Sequence, residues 1–354
     1  MRLRCAACGR EHPEAADLCP CGGPLDLEGF EPELTRKLFE GRGLWRFLPA
    51  LPLAGAQPLR LGEGGTPLVH VPELGARFKC EYLQTTGSFK DRGAAVLLTK
   101  AKALGARRVV EDSSGNAGAA IAAYAARASL PADIFVPEWA VEAKLRAMQA
   151  LGATIHKIPG PRRGVTDAAV RFCREQGAYF ASHVYPPWFL QGTKTMAYEL
   201  AEDAGFRGPD AVVAPAAMGT VLIGLRKGFA ELQRAGLIQS VPRLYAAQAS
   251  GFTPLVRALH GGLGQEEENR LADGLLIAEP PRLAQMVEAV QATGGDAASV
   301  AKADTERAMA ALHRRGLLVE PSSATALAAL ERFRAAGAVG PRDDVAVVLT
   351  GRFK

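Results

Sequence analysis

From residue 94 onward the chain alternates between stretches with helical periodicity and short apolar runs. Apolar positions spaced three to four apart predict helices at 94–104, 117–129, 141–151 and 166–176. Between them, 107–111, 133–137, 154–159 and 179–182 are short and carry β-branched or aromatic residues, as buried strands do. A second series follows, with helix 192–204, strand 211–217, helix 218–235 and strand 243–248. A polar loop near 261–273, helices 305–315 and 322–336 and a last strand at 344–349 complete it. Strands and helices in this alternation predict βαβ units on parallel sheets, so the expected fold class is α/β, two blocks with a cleft between them. Ahead of them, residues 28–60 carry Pro32, Pro49, Pro52 and Pro58 and read as a linker with a lead-in strand.

A chain of 354 residues has room for about two domains, and 48% apolar with 22% charged residues is ordinary for a globular protein. The net charge of +5 is modest, and basic pairs such as Arg107-Arg108 and Arg314-Arg315 lack interleaved aromatics. No nucleic-acid partner is expected from that pattern. The start has no apolar signal segment, and the longest nearly apolar run, 211–225, contains Pro215 and is too short to span a bilayer. These features predict a cytoplasmic protein without a membrane partner, whose six cysteines are thiols or metal ligands.

Four of those cysteines, Cys5, Cys8, Cys19 and Cys21, fall within the first 21 residues. Two pairs on glycine-rich turns can close a tetrahedral zinc site, although Cys19-Pro-Cys21 is one residue short of the usual knuckle. His12 is an alternative ligand. A closed four-ligand site would be structural, since it leaves no open position for catalysis.

Candidate chemistry centres on Lys90, in Thr85-Thr-Gly-Ser-Phe-Lys-Asp-Arg-Gly93 ahead of a helix. A primary amine at a helix start suits Schiff-base chemistry if burial lowers its pKa; the plain alternative is a surface lysine in a turn. Ser113-Ser114-Gly115-Asn116-Ala117-Gly118 lies between a strand and a helix, where backbone N–H groups and the helix dipole favour an anion. The same stretch also fits an ordinary Ser/Asn-capped turn. Pro215-Ala-Ala217-Met218-Gly219-Thr220 has the same placement and could cradle a phosphate or be a plain turn. Thr350 ends the last apolar run, where open α/β sheets bind ligands. The histidines at 12, 70, 156, 183, 260 and 313 show no metal spacing, and His183 stands out only for following a strand end.

Taken together, Gly-Ser-Phe-Lys90-Asp-Arg-Gly, Ser-Ser-Gly-Asn116-Ala-Gly, Met-Gly219-Thr220 and Leu-Thr350-Gly closely resemble the threonine synthases. More broadly they resemble pyridoxal-phosphate enzymes of the tryptophan-synthase-β type (fold type II), over essentially the whole chain. The resemblance implies that Lys90 is the Schiff-base lysine and general base, with Phe89 and Asn116 against the cofactor ring. It implies that Ala217, Met218, Gly219 and Thr220 wrap the phosphate and that Thr350 faces the pyridine nitrogen. Ser113, Ser114, Gly115 and Ala117 would hold the substrate's α-carboxylate, with His183, Phe189 and Lys194 also toward the substrate.

It further implies a zinc-ribbon-like segment at 1–27, a large cofactor-binding domain from 28–93 plus 186–354, and a small domain at 94–185. A small amino-acid substrate and a homodimer go with it. The implied reaction is O-phosphohomoserine plus water to threonine plus phosphate, a lyase reaction. The alternatives are β-replacement or β-elimination on serine, threonine or an O-substituted serine, or a catalytically retired binding paralogue. Two departures stand out. The phosphate loop is poor in glycine, and Phe189 stands where these enzymes have a phosphate-binding arginine. Either Lys194 or Arg146 then replaces that arginine or the substrate has no phosphate.

Overall fold

The computed structural model describes residues 1–160, 162–262 and 266–353, so residues 263–265 of the expected polar loop and Lys354 lie outside the described residues. The chain divides into two compact units. The first combines Met1–Pro32, Gly43–Glu63 and Lys90–Gly192; the second combines Glu33–Arg42, Gly64–Phe89 and Thr193–Lys354.

In the first unit a parallel sheet runs in the order Thr154–Ile158, Ala132–Pro137, Val109–Glu111, Tyr179–Phe180. Val110 pairs with both Asp133 and Phe180. Ala132–Pro137 and Val109–Glu111 are buried along their whole length, which is why they read as continuous apolar runs without alternation. The helices Lys90–Ala103, Asn116–Ala128, Glu142–Ala150 and Arg162–Gln176 belong to this unit. Two of them begin four residues earlier than their apolar periodicity predicts, because Lys90-Asp-Arg-Gly93 and Arg162-Arg-Gly-Val165 form polar first turns.

A separate antiparallel sheet, ordered Glu11–His12, Arg2–Cys5, Leu25–Glu28, forms the N-terminal ribbon. The sequence sets residues 1–27 apart and opens the small block at 94, whereas the first unit contains the ribbon and begins its long segment at Lys90. The physical reason is burial: Leu3, Leu25 and Leu27 join one apolar cluster with Trp45, Leu97 and Trp188. Residues 43–63 form no strand, which corrects the expected lead-in strand. Instead they carry a 3-10 turn, Leu44–Ala50, anchored where Trp45 Nε1, Tyr124 Oη (2.5 Å) and the Leu61 N–H (2.8 Å) all donate to the Glu63 carboxylate.

The second unit is built on a sheet in the order Ala297–Val300, Arg243–Ala249, Ala211–Pro215, Val345–Val348, Ala76–Lys79, Leu68–Val71. Only the edge pairing of Leu68–Val71 with Ala76–Lys79 is antiparallel among the pairings described. Its longer helices include Thr195–Asp203, Thr220–Arg234, Lys302–His313 and Pro321–Ala335. The strands at 68–71, 76–79 and 297–300 and the helices Pro254–His260 and Leu283–Gln291 go beyond the sequence reading. They are too short, or too close to Pro and Gly, for periodicity to register. None of the described helices is long and apolar enough to cross a membrane.

Candidate active site

In the first unit Lys90 is half-buried and opens its helix, with Nζ 5.5 Å from the centroid of the Phe189 ring. Phe189 is fully buried. Its ring lies on Gly93, where an added Cβ would come within 2.3 Å of the ring, so any side chain at 93 would displace it. The His183 ring meets Phe189 edge-on at 5.9 Å. His183 Nδ1 is 2.7 Å from Glu111 Oε1, and the His183 N–H donates to Glu111 Oε2 at 3.1 Å.

Burial pushes the Glu111 carboxyl well above its ordinary range, and neighbouring Asp112 adds to that. Burial likewise holds His183 well below its ordinary range, helped by the positive charges of Lys90 and Arg162. Both shifts favour the neutral forms of the two groups. Asp112 accepts from Thr166 Oγ1 (2.5 Å) and faces Arg162 Nη2 at 3.3 Å.

Glu111 ends its strand, and the turn after it holds Ser113, Ser114, Gly115 and Asn116, all half-buried, and then buried Ala117. The Gly115 N–H donates to Ser113 Oγ at 3.3 Å. The Asn116–Ala128 helix has no side-chain cap, which leaves its N-terminus suited to an anion.

In the second unit the buried Phe89, bonded directly to Lys90, donates its N–H to the Thr350 carbonyl at 2.9 Å. Thr350 Oγ1 is 3.1 Å from Ser323 Oγ. Ser323 Oγ accepts from the Gly351 N–H at 2.8 Å and lies 3.1 Å from the Gly351 carbonyl. Ala217–Gly219 links a buried strand to the Thr220–Arg234 helix, which also lacks a side-chain cap. Gly219 has φ +82°, and a Cβ there would approach Met286 Cγ to 2.4 Å, so no other residue fits without rebuilding the loop. Thr193 Oγ1 donates to the Thr220 carbonyl at 3.2 Å and fixes the start of that helix.

Lys194, expected toward the substrate, is fully buried and paired with Glu231 at 3.0 Å, where burial lowers it to about 8 despite that partner. Tyr198 also donates to Glu231, so Lys194 ties together the helices Thr195–Asp203 and Thr220–Arg234. Arg146 is exposed on Glu142–Ala150. Glu111 and Ser323 are neighbours of the candidate site that motif reading passes over, while Gly93 stands in the Lys90 motif without its contact with Phe189 being legible there. Only Glu111-Asp112 leaves a local trace, two acids closing an apolar run.

The four ribbon sulfurs all lie within 4.8 Å of one another, with Cys5–Cys21 at 3.5 Å and Cys8–Cys19 at 3.7 Å. Zinc with Zn–S bonds of about 2.3 Å would hold tetrahedral sulfurs roughly 3.8 Å apart, so the residues fit the metal. Cys8 is lowered to about 7, chiefly by a backbone hydrogen bond at Arg10, whereas burial pushes Cys19 up to about 12, so the shifts of these two thiols point in opposite directions. His12 Nε2, 3.2 Å from Cys19 Sγ, is placed to hydrogen-bond a ligating thiolate from outside. The residues also fit pyridoxal phosphate: the uncapped helix start behind Gly219 suits its phosphate, and Ser88 Oγ, next but one to Lys90, is buried with no hydrogen-bond partner among the described residues.

The sequence profile described as "Pyridoxal-phosphate dependent enzyme" matches residues 59–351. A threonine synthase of Methanosarcina acetivorans is 31% identical over 99% of this chain and 91% of its own length. One from Methanocaldococcus jannaschii is 30% identical over 99% and 92%. Among solved structures, maize serine racemase superimposes with a TM-score of 0.71 at 23% identity, covering 81% of this chain and 88% of its own, a likeness of fold. The chain therefore belongs to the pyridoxal-phosphate-dependent enzyme family, fold type II, as a threonine-synthase-like member with pyridoxal phosphate as its cofactor.

Proposed function

We infer that the chain converts O-phosphohomoserine and water to threonine and phosphate, a lyase reaction on a small amino acid. The observation that carries this reading is a likeness to threonine synthases that runs through 99% of the chain. Bound pyridoxal phosphate supplies an aldehyde carbon for a primary amine and an electron-withdrawing ring. Lys90 Nζ would be the amine that holds it, and the Lys90 amine beside the bound amino acid would take the proton from the substrate Cα and return protons at the neighbouring carbons.

The N–H groups at Ala217–Thr220 hold the phosphate, and Phe89 and Asn116 position the ring, the amide on its oxygen. Backbone and hydroxyl donors from Ser113 to Ala117 hold the α-carboxylate, beside His183. Thr350 would offer the ring nitrogen a neutral hydroxyl in place of a carboxylate, a partner that would favour elimination and replacement over long-lived carbanions. The ribbon cysteines carry structural zinc, and we expect a homodimer in the cytoplasm.

A second reading is favoured by one observation: Phe189, fully buried beside Lys90, offers no charge for a phosphate. It is β-elimination or β-replacement on serine, threonine or an O-substituted serine. Offering O-phosphohomoserine, O-phosphoserine, O-acetylserine, serine and threonine to cofactor-loaded enzyme separates the two. Threonine plus phosphate from the first supports the threonine synthase reading. Silence there, with pyruvate, 2-oxobutyrate or a sulfur adduct from another, moves the enzyme to the second.

A further inference from the structure

Beyond its apolar packing on Trp45 and Leu97, the ribbon makes several polar and ring contacts that converge on one short segment of its own unit, residues 180–188. Asp17 Oδ2 accepts from the Phe180 N–H at 2.7 Å, at the end of the strand that precedes His183. The Leu25 N–H donates to the Tyr185 carbonyl at 2.8 Å, two residues beyond His183. Leu18 packs into the cluster that holds Phe180 and Tyr185, whose rings stand 5.6 Å apart. Glu14 is ion-paired with Lys100 at 2.6 Å, and Lys100 Nζ in turn lies 4.6 Å from the Trp188 ring. Both sides of His183 and the residue before Phe189 are thus tied, directly or through one lysine, to residues lying between Cys8 and Leu25.

That stretch has little means of holding its own shape. Its strands are two to four residues long, and Asp17 and Glu14 sit in the loop between the two cysteine pairs. A segment of this size draws its rigidity from the metal or from packing, and the four sulfurs are spaced for zinc. We propose that the zinc-loaded ribbon is a brace that positions residues 180–189, and with them His183 and Phe189, for the amino-acid substrate. It follows that Asp17 is a positioning residue for the reaction. The proposal rests on the functional reading above for the role of His183 and Phe189, while the brace itself rests on the contacts alone.

The test compares zinc-replete holoenzyme with chelator-treated holoenzyme and with Asp17→Ala, which keeps all four sulfur ligands. Amide hydrogen exchange across 180–189, affinity for pyridoxal phosphate, and kcat and KM are measured on each. The expected result is faster exchange at 180–185 in both altered forms. KM should rise roughly tenfold, the scale of a lost positioning hydrogen bond, with cofactor affinity and the zinc content of Asp17→Ala unchanged. Asp17→Asn, which keeps an acceptor oxygen, should restore most of the KM. Unchanged exchange overturns the brace. Faster exchange with unchanged KM and kcat overturns its catalytic purpose, and equal loss in the Ala and Asn variants overturns the assigned hydrogen bond. Should the unaltered enzyme bind cofactor but turn over none of the amino acids offered, the functional reading fails and the exchange data alone decide the brace.

Discussion

Glu111 and His183 meet at 2.7 Å, and burial shifts each toward its neutral form, which makes their effect on stability depend on pH. Glu111 has a raised folded pKa, so its contribution is fully present below the ordinary carboxyl range and is lost as pH rises through the folded value. His183 has a depressed one, so its contribution is present above the ordinary imidazole range and is lost as pH falls. Glu111→Gln keeps a donor for Nδ1 and an acceptor for the His183 N–H without the ionisable group. The variant should be more stable than the parent at pH 8 by about 1 kcal/mol, with the difference shrinking toward pH 5. Thermal denaturation at the two pH values checks this.

Phe189→Arg would put a cation where a phosphate clamp is expected, but the position is fully buried against Gly93 and faces the Lys90 amine. The added cation should cost about 3 kcal/mol of stability, seen as a lower urea midpoint, and turnover of phosphorylated substrate should not improve. Ser323→Ala removes the acceptor for the Gly351 N–H and the hydroxyl beside Thr350. We expect cofactor affinity to fall several-fold and the absorbance of the bound cofactor to shift, at a stability cost of about 1–2 kcal/mol. Lys90, Asn116, Gly219 and Thr350 are legible in the sequence because each stands in a compact motif at an element end. Glu111 and Ser323 are not, because what matters about them is a partner 72 and 27 residues away.

Among the elements, most strands that periodicity finds are buried on both faces, such as Ala211–Pro215 and Val345–Val348, whereas Thr154–Ile158 is found although no residue of it is buried. Leu68–Val71 has a single buried residue, Val71, and Ala297–Val300 is mostly small residues, so neither stands out from a loop. The helices that start at Lys90 and Arg162 begin about a turn before the predicted positions because their first turns lack the apolar period, and this is how Lys90 comes to lie inside its helix, not ahead of it. The helix that begins at Thr220 depends on Gly219 in a left-handed conformation with Met286 pressed against it. Gly219→Ala should therefore weaken cofactor binding by tenfold or more, and its stability should fall by about 1–2 kcal/mol through backbone strain. Titration with pyridoxal phosphate and a denaturation curve measure the two effects separately.

At the scale of the molecule, each unit is stitched from three separate pieces of chain, an arrangement that no local pattern in the sequence discloses. The second unit's sheet places Val345–Val348 between Ala211–Pro215 and Ala76–Lys79. Deleting residues 344–354 should leave a protein without cooperative unfolding in the second unit and without cofactor binding, as calorimetry and titration would read. A chain growing from its N-terminus has made every residue of the first unit by Gly192, yet Val345–Val348, in the middle of the other sheet, follows only long after. On the ribosome, Ala211–Pro215 must wait with one flank open until Val345–Val348 emerges. An interrupted chain would keep that open edge and be marked for proteolysis by its own geometry.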